Sequence, residues 1–123
     1  MAKIIQHPSS GLAIFNEMAR AESLSQLRNS IGRITTIKFH RDHLELGFRA
    51  LDTGLDAVCP TPKETFETAY MLAEKFAQSA PQKFAVSIWQ HAFNFMASRS
   101  THHEAVEKFM MIAEKIGAVH QPR

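Results

Sequence analysis

Leu27, Ile34, Ile37, Leu44, Phe48, Leu51 and Leu55 follow one another at steps of three, four or seven residues, with Ser30 and Arg41 at the two intervening places. A row of that period lies along one side of a helix, which predicts a single long helix over about residues 23–53. Its apolar edge has to be covered, either by other helices of the chain or by a second copy. Four charge pairs at helical spacing accompany it: Lys38 with Asp42, Arg41 with Glu45, Glu45 with Arg49, and Arg49 with Asp52. Each adds about 0.2–0.5 kcal/mol. Gly32, Gly47 and the β-prone run Ile34-Thr35-Thr36-Ile37 oppose it, each glycine by about 1 kcal/mol relative to alanine. Two other arrangements stay open. One is a hairpin turning at Arg41-Asp42. The other is a short β segment near 35–40, through Ile37 and Phe39, followed by a helix that Asp42 caps and Gly54 ends. The long helix, with any break near 32–40, is the adopted reading because the seam continues on both sides.

The second half is punctuated more clearly. Thr61-Pro62-Lys63-Glu64 places a hydroxyl at the cap, a proline where its missing N–H is harmless, and a glutamate that reaches back to the cap amide, so a helix begins at Pro62. Phe66, Ala69, Tyr70, Ala73, Phe76 and Ala77 share its apolar face. Ser79-Ala80-Pro81 ends it. From Pro81 to about Ser98 only Lys83, Ser87, Gln90, His91, Asn94 and Ser98 form a polar stripe, which predicts the central, most buried helix. Thr101 and Glu104 repeat the capping pattern for a helix from His102 to about Ile116, with Gly117 just past its end. Val106, Phe109, Ile112, Ala113 and Ile116 form its buried side. Upstream, Ser10 to about Arg20 is helical, Ser23 to Gln26 is a further capping box, and the change of stripe direction predicts a bend near Glu22.

These elements predict an all-α, single-domain bundle of about five helices spanning 1–123, with flexible tails at 1–8 and 118–123. Composition agrees with that class. The 123 residues are 45% hydrophobic and 21% charged, enough for one core without staples. The opening segment MAKIIQHPSS lacks the apolar stretch of a secretory leader, and no run is long enough to span a bilayer. With one cysteine, Cys59, these features make a cytoplasmic protein without membrane attachment the expectation. A formal charge of +2 does not by itself point to nucleic acid.

Candidate chemistry is sparse. His40 and His43 are three apart and His103 precedes Glu107 by four, but helical metal sites take ligands from several helices, and the helix from Pro62 has no histidine. No metal site and no cofactor is expected. Cys59 has no activating neighbour in sequence, and no glycine-flanked serine elbow or phosphate-cradling loop is present. The chain is therefore not expected to be an enzyme.

Between Ser23 and Arg41 the charged residues are Arg28, Arg33, Lys38 and Arg41, with no acid. On a strand, Thr36, Lys38 and His40 project together while Ile37 and Phe39 pack inward. A strand over 36–40, a capped helix to Thr53 and another from Pro62 is similar to the ribbon-helix-helix class of dimeric DNA binders, over less than half of the chain. That resemblance implies Arg33, Thr36, Lys38 and His40 as groove and phosphate contacts.

The primary expectation is a non-catalytic regulator or adaptor working through contacts with a protein partner, and forming a homo-oligomer through the seam. Its interface residues are Leu27, Ile34, Ile37, Arg41, Leu44, Phe48 and Leu51. Met111 joins them because it interrupts the polar face of Glu104, Glu107, Glu114 and Lys115. A nucleic-acid-binding regulator is the alternative.

Overall fold

The first helix stops short of the seam, and its successor starts at a built cap. Ser23 is extended, and its hydroxyl accepts the Gln26 N–H at 3.1 Å. Gln26 Oε1 in turn accepts the Glu22 N–H at 2.8 Å. The change of direction expected near Glu22 is this junction. The computed structural model describes residues 7–99 and 103–120, and side chains over 12–99 and 106–116. Helices α1 (His7–Ala19), α2 (Leu24–Gly32), α3 (Asp42–Val58), α4 (Pro62–Ser79), α5 (Ala85–Arg99) and α6 (His103–His120) carry it, with short 3₁₀ turns at Arg33–Thr36 and Gln82–Phe84. No strand occurs among the described residues, and the fold is all-α. The tails expected at 1–8 and 118–123 lie outside the described residues over 1–6 and 121–123. Helix already covers the remainder of both.

The single helix over 23–53 is corrected. Helix α2 tightens into the 3₁₀ turn after Gly32, and the Thr36 hydroxyl donates to the Arg33 carbonyl at 2.6 Å. Ile37 is then extended, and a new helix starts at Asp42. Gly32 and, after Arg33, the four β-branched residues Ile34 to Ile37 are poor helix, and a hydroxyl bonded to its own turn competes with propagation. The seam outlives the break because both pieces bury the same kind of side chain. Leu27 and Ile34 enter the core from one piece, and Leu44, Phe48, Leu51 and Leu55 from the other. The short β segment left open near 35–40 is corrected likewise: residues 35 and 36 end the 3₁₀ turn, and 37–40 form no strand. Of the four charge pairs, only Glu45–Arg49 forms among the described residues, at 2.7 Å. Asp52 instead meets Arg99 of α5, which also holds Asp56 at 2.9 Å.

Helix α3, rather than α5, is the most enclosed: eight of its seventeen residues are buried. Two are glycines with a packing duty. A Cβ on Gly54 would strike the Met18 carbonyl, where α1 crosses, and one on Gly47 would lie 2.7 Å from Phe76 Cζ. Gly54 is thus mid-helix, and the end comes at Cys59, which adopts the left-handed conformation (φ 51°) while its N–H reaches the Leu55 carbonyl at 2.9 Å. Three residues later α4 starts on the expected capping box, Thr61 Oγ1 accepting the Glu64 N–H at 3.1 Å and Glu64 Oε1 accepting the Thr61 N–H at 2.9 Å. Helix α4 packs against α2, α3 and α5, and α6 closes on α5. The buried side foreseen for α6 is Phe109 and Ala113, with Val106, Ile112 and Ile116 half-buried. Gly117 is inside that helix, and its cap at Thr101 lies outside the described residues.

Candidate binding cleft

The corner created by the break, residues 37–46, lines a concave surface. Exposure alternates along it: Thr36, Lys38 and His40 are exposed, Ile37 and Phe39 half-buried. The Phe39 ring anchors the corner, 5.0 Å from Phe84 and 6.3 Å from Phe76. What turns the chain into α3 is a pair of histidines. The His40 carbonyl accepts the His43 N–H at 2.8 Å, and its ring Nδ1 accepts the Asp42 N–H at 3.1 Å. His43 Nδ1 accepts the His40 N–H at 3.3 Å. This is the reciprocal logic of a capping box, with imidazoles in place of hydroxyl and carboxylate. Each Nδ1 thus faces a backbone N–H and serves as an acceptor, the arrangement of an imidazole whose ring proton is on Nε2.

His43 is 9% exposed. It sits edge-on to Phe15 (5.3 Å) and Phe39 (6.4 Å). Burial, and secondarily the neighbouring His40, push its pKa below the ordinary imidazole value, against the opposing pull of Asp42. Beside it opens a cleft of about 460 Å³. Leu12 of α1, Phe39 and Leu46 make its apolar walls, and Lys38, His40, Asp42 and His43 its polar ones. Leu12 is half exposed, a large apolar side chain facing water at the rim. Volume and lining are those of ligand-binding clefts, apolar with a few convergent polar groups.

A second, polar crevice of about 370 Å³ lies between α1 and α2. There Arg33 pairs with Glu17, which also accepts from Ser30 Oγ at 3.4 Å.

The expected interface is redistributed by these positions. Leu27, Ile34, Leu44, Phe48 and Leu51 are at most 6% exposed within the chain's own core, so the seam is covered by this chain's helices and is not a surface. Ile37 is half-buried at the corner, while Arg41 is exposed with no ion pair among the described residues. Met111 is 62% exposed, with Met110 beside it. Of the groove-contact set, Arg33 is held by Glu17, the Thr36 hydroxyl by its own turn and the His40 ring by the cap, leaving Lys38. The paired strand that the resemblance needs is absent from the described residues. No group of three or more His, Cys, Asp or Glu side chains able to hold a metal occurs among them either. Cys59 is exposed, its Sγ donating to the Asp56 carbonyl at 3.3 Å.

Sequence reasoning missed Leu12, Phe39, His43 and Leu46 as one site. The His40/His43 spacing was its only visible signal, and that spacing suits helix capping as well as metal ligation. No described helix is long and apolar enough to cross a membrane. No family model matches the chain, and no curated protein or solved structure matches it.

Proposed function

We propose that the chain is a non-catalytic binding protein, a regulator or adaptor, that engages a protein partner through the cleft at Leu12, Phe39 and Leu46. The observation that carries this reading is the half-exposed Leu12 at the mouth of an apolar cleft in a molecule whose other large apolar side chains are mostly covered. Such a side chain gains from burial only when something else arrives, about 25 cal/mol for each Å² removed from water. Self-association, if it accompanies this role, falls to Met110 and Met111 of α6, since the seam is already enclosed. The exposed, unpaired Cys59 thiol suits a reducing compartment, hence the cytoplasm.

The test is a photo-crosslinking side chain placed at position 12 and, separately, at exposed position 90 on α5, in the native cell. Adducts with a defined protein from position 12 and not from 90 are expected. Equal adducts, or none, would sink the reading. Duplex DNA binding that weakens steeply with salt would favour the nucleic-acid alternative instead.

A further inference from the structure

We infer that the cleft captures the carboxyl-terminal end of a polypeptide whose last residue is large and apolar. The inference rests on the cleft being a protein-binding surface and names the group it holds.

Three observations converge on that chemistry. His43 is nine-tenths buried in the cleft wall, its Nδ1 is taken up by the His40 N–H, and its Nε2–H meets no acceptor among the described residues. A donor in the wall of an open cleft is met by water, and an acceptor brought from outside can take that water's place without leaving the N–H unsatisfied. Lys38, on the same cleft, has no carboxylate partner among the described residues, which it shares with Arg41 and the other described lysines, so its ammonium is available to an arriving anion. Leu12, Phe39 and Leu46 supply an apolar floor. One N–H donor, one ammonium and that floor, gathered in about 460 Å³, match a group bearing one carboxylate and one apolar side chain on the same carbon. The last residue of a polypeptide is such a group.

Other occupants fit less well. A phosphate dianion would find a single ammonium and a single N–H, and the Asp42 carboxylate on the lining opposes its two charges more than the one charge of a terminal carboxylate. A free aliphatic acid wants most of its surface enclosed, about 70–90% for a small-molecule site. This cleft is open along one side, which instead lets a preceding chain leave toward solvent.

The test is fluorescence anisotropy with a labelled hexapeptide ending in leucine with a free carboxylate, compared with the same peptide as its amide. The free carboxylate is expected to bind, the amide to bind about tenfold more weakly, and Lys38→Gln to weaken the carboxylate form by about the same factor. His43→Gln, which offers an acceptor to the His40 N–H and an N–H to the cleft, should retain binding within about threefold. His43→Leu should lose it. Circular dichroism establishes that each variant is folded, and should His43→Leu unfold, Lys38→Gln together with the amide control carries the test. Equal binding of amide and carboxylate overturns the inference. Displacement by octanoate as effectively as by the unlabelled peptide overturns it in favour of a free acid. Failure of every peptide overturns it too, while adducts at position 12 would leave the cleft a protein surface of different chemistry.

Discussion

Helix α4 carries an aromatic group at each end, and the two are built for opposite purposes. Toward its start, Phe66 and Tyr70 meet Trp89 of α5 and Phe109 of α6, with ring centres 5.0–6.1 Å apart. Phe109 is fully enclosed and Trp89 nearly so, and they cover one side of the half-buried Phe66 and Tyr70. Toward its end, Phe76 meets Phe15, Phe39 and Phe48 in the same way, but Phe39 is only half-buried and the group goes on into His43 and the open cleft. The first is sealed by a helix laid across it. The second is sealed on one side by a corner of chain that two histidines hold in place. The contrast teaches where this molecule has surface to spare: Phe76, Phe15 and Phe48 are buried as core like Phe109 and Trp89, but only beside Phe39 and His43 does the aromatic group border a cleft.

The largest effect expected is at the sealed end. Phe109→Ala removes a fully buried ring from three aromatic neighbours and should cost about 3–5 kcal/mol, read as a fall in the urea midpoint. A loss below 1 kcal/mol would mean that α6 does not cover this cluster. Gly54→Ala should follow, at about 1–3 kcal/mol, because its methyl meets the α1 backbone rather than a side chain that can turn aside.

Those two positions also show what sequence can and cannot disclose. Phe109 was legible as core from spacing alone, as were the Thr61 cap and the exposed Met111, because each follows from local period or local hydrogen bonding. Gly54 was read as a helix end and Gly47 as a cost to the helix. Their purpose depends on Met18 and Phe76, residues far away in the chain, and no local rule contains that. Gly32 and the β-prone run allow for a break near 32–40, but one long helix is still preferred for a related reason: an apolar spacing records which side chains are buried, and two helices entering one core satisfy it as well as one. His40 and His43 were noticed for the wrong chemistry. Histidine is seldom a cap, and only the backbone geometry shows that these two face amides.

Away from Phe109 and Gly54 the expected effects are smaller. Cys59→Gly should stabilise by about 1 kcal/mol, since it relieves a left-handed backbone without touching the core, and thermal unfolding would detect it. For His43 the sign follows from its lowered pKa: the unfolded chain takes up the proton first as pH falls. Stability from this residue is therefore complete above the ordinary 6.5 and is lost as pH drops toward the depressed folded value. Protonation also turns Nδ1 into a donor facing the His40 N–H and adds charge where a helix begins. Urea titrations between pH 8 and 5 should show this decline in the native chain and less of it in His43→Gln. Equal slopes would mean that the pair does not hold the corner. Smallest of all, Leu12→Ser should alter stability by less than about 0.5 kcal/mol while removing crosslinking and peptide capture. A large loss of stability there would erase the distinction between the two ends.

The link between α3 and α4 carries a consequence for how the chain assembles. Only residues 59–61 separate the two helices, with a left-handed residue closing one and a reciprocal cap opening the other. Little loop has to be ordered before the helices touch, so this hairpin is placed to form early, with α1 docking onto α3 and α5 bringing α6 onto α4 afterwards. Replacing the Thr61 hydroxyl would then act chiefly on the refolding arm of a stopped-flow chevron, and Phe109→Ala on the unfolding arm.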